Sequence, residues 1–248
     1  MRWQLHSDDP VEREAFASPG SVLNLSGDII NENWMSTLLR VSLGSGHYYV
    51  KRYAVRGRGM RRLAGRSRAR AEWENLLWFE AQGIPTARVV ACGEGRLESG
   101  YCGLVVTEER PRTLDLVACA ASRKDLLLVP EWRRGVIRRL AGMVRTMHQQ
   151  GFVHGDLKWR NILVEVDAPS AGVFLIDCPQ GRKMPEPFLS RGIIKDLACL
   201  HKVARYRLSA TDQLRFYLAY QGAYTGSRLD ETDRKRIRRI VRFFHGDE

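Results

Sequence analysis

The sequence is short of paired cysteines. Five occur in 248 residues, at Cys92, Cys102, Cys119, Cys178 and Cys199, an odd number, widely spaced and without a C-x-x-C pair. That spacing excludes a disulfide framework and a thiolate zinc site, and it suits reduced thiols in the cytoplasm. Long apolar runs are lacking too. The most apolar stretch, Leu114 to Ala121, is far too short to span a bilayer. The first nineteen residues carry Asp8, Asp9, Glu12 and Glu14 where a secretory signal needs an apolar core, so a soluble or peripheral protein is expected. There is no internal repeat, and no G-K-[ST] string, which removes a Walker-type P-loop. Acids are also scarce, at 28 against 40 Lys and Arg. The resulting charge of +12 calls for an anionic partner: nucleic acid, a lipid surface or a phosphorylated substrate.

What is present centres on His154 to Val164, HGDLKWRNILV, and Ile176 to Gly181, IDCPQG. Asp156, Lys158 and Asn161 stand in the D-x-K-x-x-N order of a kinase catalytic loop, followed by an apolar strand and a second carboxylate, Asp177. Phosphoryl transfer needs an acceptor for the hydroxyl proton, a cation for the transferring charge and two oxygen ligands for magnesium. These four residues supply them. Asp156 is the expected base, Lys158 the cation, and Asn161 and Asp177 the metal ligands. The aromatic-glycine pair that usually follows such a carboxylate is replaced by Cys178 and Pro179, and no A-P-E string follows. A short, stiff, unregulated segment from Pro179 to Gly192 is expected.

The length and element pattern predict an α+β, two-lobed protein-kinase-like fold, with an N-terminal lobe over residues 1–109 and a mainly helical C-terminal lobe over 110–248. In the first lobe, Val22 to Leu25, Thr37 to Leu43 and His47 to Tyr53 read as strands. Residues 27–37 take the place of the loop over the nucleotide phosphates, although only Gly27 in it is glycine. Lys51, in YYVKRY, is read as the lysine that meets the α and β phosphates of ATP. Alone it would be an ordinary solvated strand lysine, and the downstream loop favours the functional reading.

Ala69 to Gln82 reads as a helix with Gly83 as its stop. Of its acids, Glu72 lies four residues before Leu76 on the apolar stripe and is chosen over Glu74 as the partner of Lys51. Val89 to Cys92 and Leu104 to Thr107 read as strands. Thr107 to Leu114 follows as the adenine-binding hinge, with Glu108 and Glu109 as cofactor-binding positions. Eight arginines from Arg52 to Arg70, namely Arg52, Arg56, Arg58, Arg61, Arg62, Arg66, Arg68 and Arg70, form a surface block. It is either a plain solvated charge run or a contact for clustered phosphates.

Trp132 to Gln150 carries Val136, Ile137, Leu140, Val144 and Met147 at helical spacing. His148 reads as a helix-end residue and His154 as a buried anchor of the loop. Three more helices follow, over Lys195 to Arg207, Thr211 to Tyr224 and Glu231 to Phe244. Asp196 is expected to brace the catalytic loop. The last helix is basic and amphipathic, and docking on its own domain is favoured over lying on an anionic membrane.

The order GDIINENWMST, YYVKRY, AEWENLL with GIPT, TEER, VHGDLKWRNILV, FLIDCPQG and KDLA resembles the lipopolysaccharide core kinases, the bacterial Kdo and heptose kinase family. The likeness runs from about Leu25 to Leu200. It implies ATP- and Mg²⁺-dependent phosphorylation of an inner-core sugar hydroxyl. The acceptor would be the core glycolipid and the location cytoplasmic, peripheral on the anionic inner membrane. Two other readings compete. A RIO-like protein kinase or nucleic-acid-associated kinase would also use an arginine block, but the basic and aromatic interleaving of an RNA-binding module is absent. A pseudokinase acting as a binding module should have lost the catalytic residues, and all are present.

Overall fold

The computed structural model describes residues 2–57, 65–98, 100–167, 171–223 and 228–244. The chain divides into two compact units. Unit 1 is Met1–Ala81, Thr86–Pro111 and Cys178–Gln180; unit 2 is Gln82–Pro85, Arg112–Asp177 and Gly181–Glu248.

Unit 1 begins with β1 (Arg2–Leu5), α1 (Pro10–Ala15) and α2 (Pro19–Leu23). It continues through β2 (Asp28–Asn33), β3 (Ser36–Leu43), β4 (Gly46–Tyr53), α3 (Arg68–Ala81), β5 (Val89–Leu97) and β6 (Gly100–Glu108). The six strands form one antiparallel sheet in the order β1-β5-β6-β4-β3-β2. One face buries Val41, Tyr48, Val50, Leu104 and Val106 with Phe16 of the α1–α2 region and Val22 of α2. Strand periodicity turns the intervening residues to the other face, where α3 packs on β5 and β6. Gly103 is required there. A Cβ on it would lie 2.5 Å from the Cβ of Ala69, so the missing side chain sets how closely α3 approaches the sheet.

Two local expectations are corrected. Val22 to Leu25 is not a strand: Val22 and Leu23 end α2 and Asn24 caps it, in a helix where Ser18 accepts from Ser21 N at 3.1 Å and Pro19 stands in the first position. So short a stretch cannot distinguish the two states by itself. Residues 27–37 are not an open loop either. Asp28–Asn33 pairs with β3, and the Asn33 side chain closes the turn by accepting from Met35 N and Ser36 N.

The arginine block also differs from a free surface run. Arg52 donates to the carbonyls of Val22 and Leu25 at 3.1 and 2.7 Å, and burial lowers its pKa. Arg56 caps Gly65 O, Arg66 bonds Ala71 O and Asn75, and Arg70 pairs with Glu74. Arg58, Arg61 and Arg62 lie outside the described residues.

Unit 2 opens with β7 (Thr113–Asp115), α4 (Leu116–Ser122), α5 (Lys124–Leu128) and the long α6 (Pro130–Gln149). Then come β8 (Phe152–Val153), a 3₁₀ turn over Trp159–Asn161, β9 (Ile162–Glu165), β10 (Val173–Leu175), β11 (Arg182–Lys183), α7 (Phe188–Arg207), α8 (Ala210–Gln221) and α9 (Glu231–Arg242). Small sheets β10-β9-β7 and β11-β8 support the loop between β8 and β9. All five apolar residues of the α6 stripe are buried, and Gly151, at φ +70°, turns the chain out of the helix. Helix α7 starts at Phe188, seven residues before the expected Lys195, so the segment after Pro179 is shorter than its sequence suggests. Helix α9 opens with a capping box of Asp230 and Asp233 and packs on α7, with Ile240 buried. It docks on its own unit, as favoured. Tyr224 lies outside the described residues.

Candidate active site

In unit 1, β4 presents Lys51 and α3 presents Glu72. The Lys51 Nζ lies 2.9 and 3.2 Å from the two Glu72 carboxylate oxygens, and the side chains are 18% and 7% exposed. Tyr53, two residues along the strand, donates its hydroxyl to the same carboxylate, and its ring sits 5.3 Å from the ammonium. A half-buried lysine and a buried carboxylate are tolerable because each has the other and the phenol completes the shell. Glu74, on the outer side of α3, is taken by Arg66 and Arg70 at 2.7 and 2.6 Å. Glu108 and Glu109 stand at the end of β6. Their N–H groups donate to Arg88 O and His47 O, and their carboxylates pair with Arg88 and Arg40, each at 2.8 Å.

In unit 2 residues 154–161 are fixed mainly through the backbone. Asp196, fully buried on α7, accepts from His154 N at 2.7 Å and Gly155 N at 2.9 Å, while Lys195 donates to Gly155 O at 2.8 Å. Gly155 has φ +80°, a conformation that admits glycine cheaply. Asp196 thus braces the loop. His154 is fully buried, and desolvation pushes its pKa below the ordinary imidazole value despite three nearby carboxylates, so it stays neutral.

The loop then closes on itself. Asp156 O accepts from Lys158 N at 2.9 Å and from the Asn161 amide at 2.8 Å, and Asn161 O accepts from Ile176 N at 3.0 Å. The last bond ties the residue before Asp177 to the loop. The Asp156 carboxylate holds the Lys158 ammonium at 2.6 Å, with the lysine 47% and the aspartate 18% exposed. Asp156, Lys158, Asn161 and Asp177 therefore share one unit and one hydrogen-bonded segment.

The donor set suits a hard divalent cation. Asn161 spends its N–H on Asp156 O, so Oδ1 is its remaining coordinating atom. Asp177 adds a carboxylate. Both offer oxygen donors, which suit magnesium, and a magnesium that also binds substrate phosphates needs no larger protein cage. Among the described residues no group of three or more His, Cys, Asp or Glu is arranged to hold a metal.

Sequence reading missed two members of this region. His148 stands in the last turn of α6, as expected, but it is also buried, with Nδ1 2.9 Å from Tyr220 OH and Nε2 3.4 Å from Asp196. Its position four residues after Val144, on the apolar stripe, was the available signal. The other is Asn75 on α3, which donates to Cys178 O at 2.6 Å.

An antiparallel sheet with one helix bearing a lysine–carboxylate pair, joined in sequence to a helical part with a D-x-K-x-x-N loop, is the architecture of a protein-kinase-like phosphotransferase. Comparison with known proteins narrows the class. The model of the lipopolysaccharide kinase (Kdo/WaaP) family matches residues 27–220. The chain belongs to that family, and it is a kinase. It is 29% identical over 210 residues to the lipopolysaccharide core heptose(I) kinase WaaP of Pseudomonas aeruginosa, covering 79% of this chain and 77% of that protein. Among solved structures it is similar to WaaP in complex with acyl carrier protein, at TM-score 0.71 and 26% identity, covering 99% of this chain and 94% of the other. No described helix is long and apolar enough to cross a membrane.

Proposed function

We propose that the chain transfers the γ-phosphoryl group of ATP to a sugar hydroxyl, on heptose or Kdo, of the lipopolysaccharide inner core at the cytoplasmic face of the inner membrane. The observation that carries this is the closed segment of unit 2, in which Asp196 fixes the chain at His154 N and Gly155 N, just before Asp156, and Asp156 in turn bonds Lys158 and the Asn161 amide. The likeness to a heptose(I) kinase supports the sugar acceptor.

In the mechanism we infer, Asp156 accepts the proton of the sugar hydroxyl as its oxygen bonds to the γ-phosphorus. The bond from phosphorus to the bridging oxygen breaks, and ADP leaves. Lys158 is within reach of the Asp156 carboxylate and exposed enough to follow negative charge onto the transferring group. Asn161 and Asp177 would hold Mg²⁺, which when bound neutralises charge on the β and γ phosphates. Lys51, aimed by Glu72, would bind the α and β phosphates. With the N–H groups of Glu108 and Glu109 committed within the protein, adenine recognition falls to other backbone groups of residues 107–114.

The test is turnover with Mg-ATP and purified inner-core oligosaccharide, read as ADP release and phosphate on the sugar. Phosphorylation of protein in preference to the oligosaccharide would overturn the acceptor assignment.

A carrier-protein partner is favoured by one further observation. Helices α6 to α9, with Leu116 and Trp159, enclose an apolar cavity of about 290 Å³, its walls including Val136, Leu200, Ala204 and Ile240. The opposite side of α9 contributes Lys235, Arg238, Arg239 and Arg242 to a basic groove with Arg191. Space for an alkyl chain beside a cationic surface suits an acylated, acidic carrier protein. Ala204→Trp should fill the cavity and abolish the rise in melting temperature produced by acylated carrier protein; an unchanged rise would remove this partner.

A further inference from the structure

The segment after Asp177 is where this chain departs most from a regulated kinase, and the structure supplies something in its place. Cys178–Gln180 belong to unit 1, although the residues on either side belong to unit 2. Cys178 is fully buried, and its carbonyl accepts a hydrogen bond from Asn75 Nδ2 at 2.6 Å. Asn75 is itself buried, 2% exposed, and its other amide atom, Oδ1, accepts from Arg66 at 2.6 Å. Arg66 is in turn held by Ala71 O at 3.0 Å and by Glu74 at 2.7 Å. A chain of four groups thus ends on the peptide next to Asp177.

Only an amide meets both demands at position 75. The carbonyl of Cys178 needs a donor and the guanidinium needs an acceptor, and asparagine offers one of each at fixed separation. Aspartate has the same shape but no donor, and leucine has neither group. Asp177 also has φ +55°, uncommon outside glycine and kept where surroundings determine the backbone. Asn75 stands three residues after Glu72, so the helix turn that receives Lys51 also receives the Cys178 carbonyl.

We propose that Asn75 is a positioning residue for Asp177. By fixing the following peptide, it orients the Asp177 carboxylate for the cation. The proposal rests on the reading of Asp177 as a metal ligand. Supporting groups of this kind commonly change metal affinity by about 10- to 100-fold when removed.

The experiment measures Mn²⁺ affinity by electron paramagnetic resonance in the presence of a non-hydrolysable ATP analogue, together with kcat and KM, for Asn75→Asp, Arg66→Met and Asp177→Asn. Asn75→Asp should weaken Mn²⁺ binding about tenfold and lower kcat with little change in either KM. Arg66→Met, at a partly exposed residue, should move the same quantities less, and it decides the matter if Asn75→Asp does not fold. Wild-type Mn²⁺ affinity in the folded variants would overturn the positioning role, even if melting temperature fell. Wild-type Mn²⁺ affinity in Asp177→Asn would instead overturn the metal assignment beneath it.

Discussion

Each unit contains a lysine held by a carboxylate, and the two pairs differ in kind. Lys51 and Glu72 are 18% and 7% exposed, with a tyrosine hydroxyl on the carboxylate, whereas Lys158 and Asp156 are 47% and 18% exposed. The contact distances, 2.9 and 2.6 Å, would suggest the reverse ranking. Burial decides, because an opened buried pair leaves a charge in a poor solvent, whereas an opened exposed pair is rehydrated. The first pair is a fixture that sets geometry. The second is solvated enough to open at little cost, and the segment that carries it is fixed by bonds from His154 N and Gly155 N to the Asp196 carboxylate.

The sharpest way to break this contrast is Asp156→Ala. Transfer should fall by about 10²–10⁴-fold, with ATP binding retained, since the base is lost and the unit 1 pair is untouched. Near-normal turnover would refute the assignment. Lys51→Met is next: it strands Glu72, so we expect weakened ATP binding in a direct titration and a loss of about 3 kcal/mol in denaturant unfolding.

Lys158→Met should separate from it cleanly, lowering kcat while changing stability by less than about 1 kcal/mol. Equal destabilisation by the two lysine substitutions would erase the distinction drawn above. A smaller, indirect effect is expected of Gly103→Ala, which pushes α3 from the sheet at a cost of roughly 1–3 kcal/mol and weakens ATP binding through Glu72.

The smallest is a pH effect. The His154 pKa is depressed by burial, so the unfolded chain takes up the proton first. Stability should be full above about pH 6.5 and decline as pH falls below it. His154→Gln should flatten that decline in melting temperature between pH 7 and 5.

Much of this was legible in the chain because the informative spacings are local. The α6 stripe, the Asp156-Lys158-Asn161 order and the choice of Glu72 over Glu74 each depend on residues within a few turns of one another. Partners far apart in sequence were not legible. Glu12 stood out only as one of four acids in a polar stretch, yet it is buried, with Tyr48 OH at 2.8 Å and Arg88 at 2.5 Å. Burial acts to raise its pKa, but bonds from Arg88, Ser7 and Tyr48 outweigh it and the carboxyl titrates low. Asn75 escaped for the same reason, its acceptor lying 103 residues away. The arginines misled differently: charge type predicts a surface run, but Arg52 and Arg66 spend their forks on carbonyls and an amide.

Strand β2 has one last consequence. It ends the sheet, and all six of its residues are exposed, Ile29 and Ile30 among them at 62% and 51%. An open ladder beside exposed isoleucines is a template on which a second chain could add a strand and begin to aggregate. The register shift between Ile29 and Asn31, with Asp28 and Glu32 on the same strand, interrupts that template. Smoothing the irregular pairing of β2 should therefore trade solubility for regularity.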